Sequence, residues 1–151
     1  MELCWIQFGR NRLVNRLIGI DYGRKRLGLA TCDPMGLSVT GWPTIVASGF
    51  DSAVSQVAQF ITEQDVSGIV IGLPLNMDGT RGEMADEVER FSSALSERTN
   101  LKVMHWDERL TSTQAKRVLA ERGGGRRKKG DIDRVAAALM LESYLRAHPA
   151  T

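Results

Sequence analysis

Cysteine and histidine are scarce in this chain of 151 residues: there are two of each, Cys4, Cys32, His105 and His148. Two cysteines without C-x-x-C spacing build no disulfide framework and read as reduced thiols. Isolated histidines argue against a Cys/His zinc site. No apolar run approaches the ~18–20 residues of a membrane span. The opening MELCWIQFGRNRLVN has no charged-then-apolar signal pattern, so a cytoplasmic protein without a membrane partner is expected. Aromatic residues make up only 6% of the chain and do not interleave with its basic clusters, so base-by-base reading of single strands is not supported. Trp5, Trp42 and Trp106 read instead as packing residues. The net charge is only +2, so the placement of charge carries more information than its sum.

What is present is an ordinary globular composition, 42% hydrophobic and 25% charged. The length predicts one domain with a full core, over residues 17–151, preceded by an extension over 1–16. LIGIDY (17–22) and LGLATC (27–32) read as paired strands joined by a tight basic turn carrying Gly23. A third extended piece is expected after Pro43, in TIVAS. DSAVSQVAQFITEQD has the helical period, with Asp51 or Ser52 as its cap. SGIVIGLP (67–74) reads as a strand buried on both faces. EMADEVERFSSALSER is a second amphipathic helix, with Met84, Val88, Phe91 and Leu95 on one stripe. LKVMHWDER reads as a strand ending in Asp107-Glu108. Thr111-x-x-Gln114 opens a third helix to about Arg122. DIDRVAAALMLESYLRA is a fourth helix, capped by Asp131. This order predicts a mixed α/β sheet with helices on both faces.

Four carboxylates stand where core or sheet edge is expected. Asp21 ends the first strand, Asp107 and Glu108 end the last, and Asp133 lies in the first turn of the last helix. Parallel strand ends in an open α/β sheet point to one edge, where ligands bind. Two carboxylates ~4 Å apart at an effective dielectric near 20 repel by about 4 kcal/mol. Either their pKa values shift or a divalent cation sits among them. An all-oxygen set favours Mg²⁺ or Mn²⁺, and a pair of such ions suits phosphodiester hydrolysis. The bland alternatives are a turn or cap residue for Asp21, a dipole-favoured carboxylate for Asp133 and solvated groups for 107–108. Asp107 and Glu108 are adjacent in an extended segment, so they point to opposite sides. The longer glutamate reaches further from the strand end, but the choice between the two stays open.

GIDYGRKRLGLA (19–30), GLPLNMDGT (72–80), DERLTS (107–112) and the D-x-x-A-A of Asp133, Ala136 and Ala137 resemble, in order and spacing, the motifs of the YqgF/RuvX family. The resemblance covers residues 17–147. It implies a ribonuclease H-like fold with a five-stranded mixed sheet, similar to the RuvC Holliday junction resolvases. It also implies nuclease activity on DNA junctions or on the 5′ end of pre-16S ribosomal RNA. The implied catalytic and metal-binding set is Asp21, Asp107 or Glu108, and Asp133, holding two Mg²⁺ or Mn²⁺ ions. Ser112 stands where threonine is common and keeps the hydroxyl.

RGGGRRKK (122–129) packs five cations into eight residues without an acid. Beside a carboxylate cluster, Arg126, Arg127, Lys128 and Lys129 fit phosphate-backbone tracking. Arg24, Lys25, Arg26, Arg109 and Thr111 extend the same expected nucleic-acid surface. Asp78, Thr80 and Arg81 join it through the loop at 74–82. Shape-based recognition of branched DNA or pre-rRNA follows, and symmetric cutting of a junction would require a homodimer. Two other classes compete. GIDYG is also similar to the first phosphate-binding turn of the actin and sugar-kinase group of phosphotransferases and ATPases, but the chain is short for their two lobes. A nucleic-acid-binding scaffold that does not cleave is the other.

Overall fold

The computed structural model describes residues 16–110 and 129–148. The expected helix from Thr111, most of the basic loop and nearly all of the N-terminal extension lie outside the described residues. The first three strands are β1 (Leu17–Asp21), β2 (Arg26–Cys32) and β3 (Val39–Val46). Helix α1 (Phe50–Glu63), strand β4 (Gly68–Leu73), helix α2 (Glu83–Thr99) and strand β5 (Val103–Asp107) follow. A short 3-10 turn over Glu108–Leu110 ends this run, and helix α3 (Lys129–Ala147) completes the described chain.

The strands form one sheet in the order β3-β2-β1-β4-β5. β1 is antiparallel to β2 and parallel to β4, and β4 is parallel to β5. The mixed five-stranded sheet of the sequence reading is therefore present. Its central strand, β1, lies where the direction of pairing changes. The C-terminal ends of β1, β4 and β5 share one edge, the usual place for a ligand in an open α/β sheet.

The two faces of the sheet bury different partners. Ile18, Ile20, Leu27, Leu29, Ile69 and Ile71 pack against Val54, Val57 and Ile61 of α1 and Val88, Phe91 and Leu95 of α2. On the opposite face Leu17, Ala30, Cys32 and Val70 meet Ala137, Met140 and Leu141 of α3. This face carries Gly19, Gly28, Gly41 and Gly72, and a side chain at any of them would run into α3 or Glu108. Close approach of another element is a recurrent reason for glycine inside a strand.

Several boundaries differ from the sequence reading. The third strand begins four residues before Pro43 rather than after it, because Pro43 lies on an edge strand, where a missing N–H is tolerated. Helix α1 is capped by Gly49, not by Asp51 or Ser52, and Asp51 lies in its first turn. The last helix begins at Lys129, so Asp131 is inside it rather than at its cap. Glu108 belongs to the 3-10 turn, not to the strand. Trp42 and Trp106 do pack: Trp42 stands edge-on to Phe60 and donates to Thr31, and Trp106 stands edge-on to Tyr144.

Candidate active site

Asp21 leaves β1 on the face covered by α3. Two residues earlier on the same side, Gly19 lies against Leu141, Met140 and the Ala137 carbonyl. Side chains alternate along β5 as well. Its Met104 and Trp106 pack on the α3 face, whereas His105 bonds Ser92 of α2 on the other. Asp107 therefore leaves the strand on the α2 side, away from Asp21. The 3-10 turn brings the next carboxylate, Glu108, back beside Gly72 and Met140 on the α3 side.

Glu108 and Asp21 meet there and share a hydrogen bond. Burial, followed by the Asp21 charge and that hydrogen bond, pushes the Glu108 carboxyl up to about 8. Burial also raises Asp21, partly offset by the hydrogen bond from Glu108, while the Asp133 charge raises it further. Two adjacent buried carboxylates do not both ionise without a counter-charge, and a proton donated from Glu108 to Asp21 is one way to meet that demand.

Asp107 has the opposite environment. Its carboxylate accepts from the Arg109 backbone N–H at 3.0 Å and from the guanidinium at 2.7–3.1 Å. The Arg109 hydrogen bond holds its pKa below the ordinary aspartate value. The same guanidinium donates to the Met77 carbonyl, tying the strand end to the 74–82 loop.

Asp133 reaches the same edge from α3, and Arg26 Nε donates to its Oδ2 at 3.2 Å. Among the described residues no three Asp, Glu, His or Cys side chains gather into a ready metal cage. The third carboxylate is engaged with a cation instead. Close packing sets this arrangement. A Cβ at Gly28 would lie 2.3 Å from the Asp133 carbonyl oxygen, and one at Gly72 would lie 2.6 Å from Glu108 Oε1. In the sequence these glycines are parts of motifs, and their spatial role emerges only from the packing. The available signal was glycine inside otherwise apolar strands.

The remaining basic candidates divide. Arg24 pairs with Glu87 at 2.8 Å, and Arg81 pairs with Asp86 and Glu89. Lys25 is exposed on the β1–β2 turn. Asp78 accepts from the Thr80 backbone and hydroxyl, closing its own turn. Lys129 opens α3, and Thr111, Arg126, Arg127 and Lys128 lie outside the described residues. A second feature absent from the sequence reading is Glu87. It also accepts from the Tyr22 hydroxyl at 2.8 Å, and so anchors the residue after Asp21 to α2.

Residues 15–147 match the family model of RuvX, described as Holliday junction resolvase. A protein of Trichormus variabilis named "Putative pre-16S rRNA nuclease" is 46% identical over 129 residues, 85% of each chain. One of the same name from Syntrophus aciditrophicus is 40% identical, over 87% of this chain and 89% of that one. The fold is similar to RuvC of T. thermophilus in complex with Holliday junction substrate, with a TM-score of 0.59 and 16% identity, covering 91% of this chain and 98% of that one. It is also similar to the Fowlpox virus resolvase in complex with Holliday junction DNA, at a TM-score of 0.54 and 14% identity, covering 87% and 97%. The sheet with its strand-end carboxylates is thus ribonuclease H-like, and the chain belongs to the RuvX family of nucleases.

Proposed function

We propose that the chain is a divalent-metal-dependent nuclease that trims pre-16S ribosomal RNA, with Asp21, Glu108 and Asp133 as its metal-binding and catalytic carboxylates. The observation that carries the reading is the buried, hydrogen-bonded Asp21–Glu108 pair at the sheet edge. A divalent cation is the natural counter-charge for that pair. The donor set is all oxygen, which fits Mg²⁺ or Mn²⁺. When bound, such ions supply Lewis acidity and an activated water for phosphodiester hydrolysis.

The chain's own groups set up the rest. Glu108 gives up its proton and offers a carboxylate beside Asp21. Lys25 on the adjacent turn and Arg26 at the start of β2 are the cations that would meet phosphate charge. Water forms the new P–O bond and the 3′ oxygen leaves with a proton, giving 5′-phosphate and 3′-hydroxyl ends. Asp107 is a support, since its carboxylate is committed to Arg109.

The RNA substrate is favoured because the relatives at 40–46% identity carry that name, whereas the resemblance to the two resolvases lies in the fold, at 14–16% identity. A cytoplasmic site of action accords with it. The second reading, junction resolution, is supported by the description of the matched family and requires a two-fold dimer. A cleavage panel separates them: pre-16S RNA, a four-way DNA junction and linear duplex DNA, each with and without Mn²⁺. Mn²⁺-dependent trimming of the RNA supports the first reading. Symmetric cutting of the junction alone supports the second. Binding without cleavage of any substrate would make the chain a scaffold.

A further inference from the structure

Asp133 is engaged twice over at the edge of the site. Its charge acts on Asp21, yet its carboxylate is bonded to Arg26, 107 residues away in sequence. Arg26 opens β2 directly after the basic turn, and its side chain is 37% exposed, so part of it faces solvent. Backbone packing at Gly28 fixes the course of α3 at Asp133, leaving the side chain as the element with a choice of partner. A guanidinium accepts either a carboxylate or a phosphate as its partner, and can bind both in the same forked geometry.

We propose that Arg26 is a positioning residue that holds Asp133 away from the Asp21–Glu108 pair until a nucleic-acid phosphate takes over its guanidinium. The inference rests on the metal-site reading above and deepens it. Without nucleic acid, the third carboxylate is withheld and cation affinity is low. Phosphate binding at Arg26 frees Asp133 and completes the site, so substrate and cation binding favour each other. Such coupling is reciprocal: each ligand raises affinity for the other by the same factor.

Mn²⁺ titration of the protein without nucleic acid tests the withholding step. Arg26→Gln is expected to bind Mn²⁺ up to about 5-fold more tightly than wild type, the scale of one partly exposed ion pair. Arg26→Lys, which keeps the charge, should stay within about 2-fold of wild type. Asp133→Asn separates the proposal from a general field effect. In that background Arg26→Gln should change affinity by less than about 2-fold, as a double-mutant cycle requires of a pairwise interaction. The coupling has its own readout. In the wild type, the Mn²⁺ concentration for half-maximal cleavage should fall as substrate rises, and in Arg26→Gln it should not. No tightening in Arg26→Gln, or tightening that persists in the Asp133→Asn background, overturns the proposal while leaving the metal site intact. Unchanged Mn²⁺ binding in Asp21→Asn and Glu108→Gln removes the metal site itself, and the proposal with it.

Discussion

The two faces of the sheet solve different problems. Toward α1 and α2 the strands present Ile18, Ile20, Leu27, Leu29, Ile69 and Ile71, all fully buried. Toward α3 they present glycines set among Leu17, Ala30, Cys32 and Val70, and end in Asp21. Large branched side chains on the first face bury apolar area, worth about 1.5–3 kcal/mol for each full side chain. The glycines on the second face forgo part of that gain and let a helix backbone press onto the strands. The return is positional: Asp133, Asp21 and Glu108 reach one edge. Both faces bury apolar side chains, and the candidate carboxylates Asp21, Glu108 and Asp133 gather on the second.

Substitutions on the two faces should therefore fail differently. The largest effect is expected at the edge: Asp21→Asn should lower metal-dependent cleavage by about 10³-fold, since metal assistance is worth several kcal/mol at ~1.4 kcal/mol per tenfold. Binding of uncleaved nucleic acid should be nearly unchanged in a mobility-shift assay. Retained cleavage would break the division between the faces.

Next in size is a pair of core changes read by chemical denaturation. Leu29→Ala, on the α1–α2 face, should cost about 2–5 kcal/mol of stability and leave Mn²⁺ affinity unaltered. Gly72→Ala, on the other face, should cost about 1–3 kcal/mol by overpacking. Because its Cβ would meet Glu108 Oε1 and Cγ, it should also weaken Mn²⁺ binding. Equal effects of both on Mn²⁺ affinity would contradict the assignment of the two faces.

The smaller effect is a pH dependence. Glu108 and Asp21 have raised pKa values in the folded chain, so the metal-free fold binds their shared proton more tightly than the unfolded chain does. That stabilisation is complete below the unfolded carboxylate range and is lost as pH rises through about 8. The wild-type melting temperature should fall relative to Glu108→Gln between about pH 5 and pH 9. Taking the difference between the two proteins cancels His105, whose pKa burial lowers and whose contribution runs the other way. A difference that does not change with pH would show that the carboxyls do not share a proton.

Much of this arrangement was legible in the chain. Alternation and apolar runs marked all five strands, and the four short motifs marked the edge where the carboxylates gather. The ambiguity between Asp107 and Glu108 was not soluble there. Apolar residues occur on both sides of β5, so alternation says the two residues diverge without saying which one turns toward Asp21. The β4–β5 register and the position of α3 supply that information, because they place Trp106 on the α3 face and Asp107 opposite Leu73 on the other. The Arg26–Asp133 and Tyr22–Glu87 contacts were also invisible, since each joins residues separated by more than 60 positions. Boundaries failed where local rules were overridden: Pro43 is accommodated because β3 is an edge strand, and Gly49 caps α1 despite the acidic and hydroxyl residues that follow it.

In the proposed site Glu108, not its neighbour Asp107, stands beside Asp21. Mn²⁺-dependent cleavage of a pre-16S RNA fragment by Glu108→Gln and Asp107→Asn, measured side by side, tests it most directly. Glu108→Gln should lose cleavage by about 10²-fold or more, while Asp107→Asn should stay within about 10-fold of wild type. An inactive Asp107→Asn beside an active Glu108→Gln would contradict it.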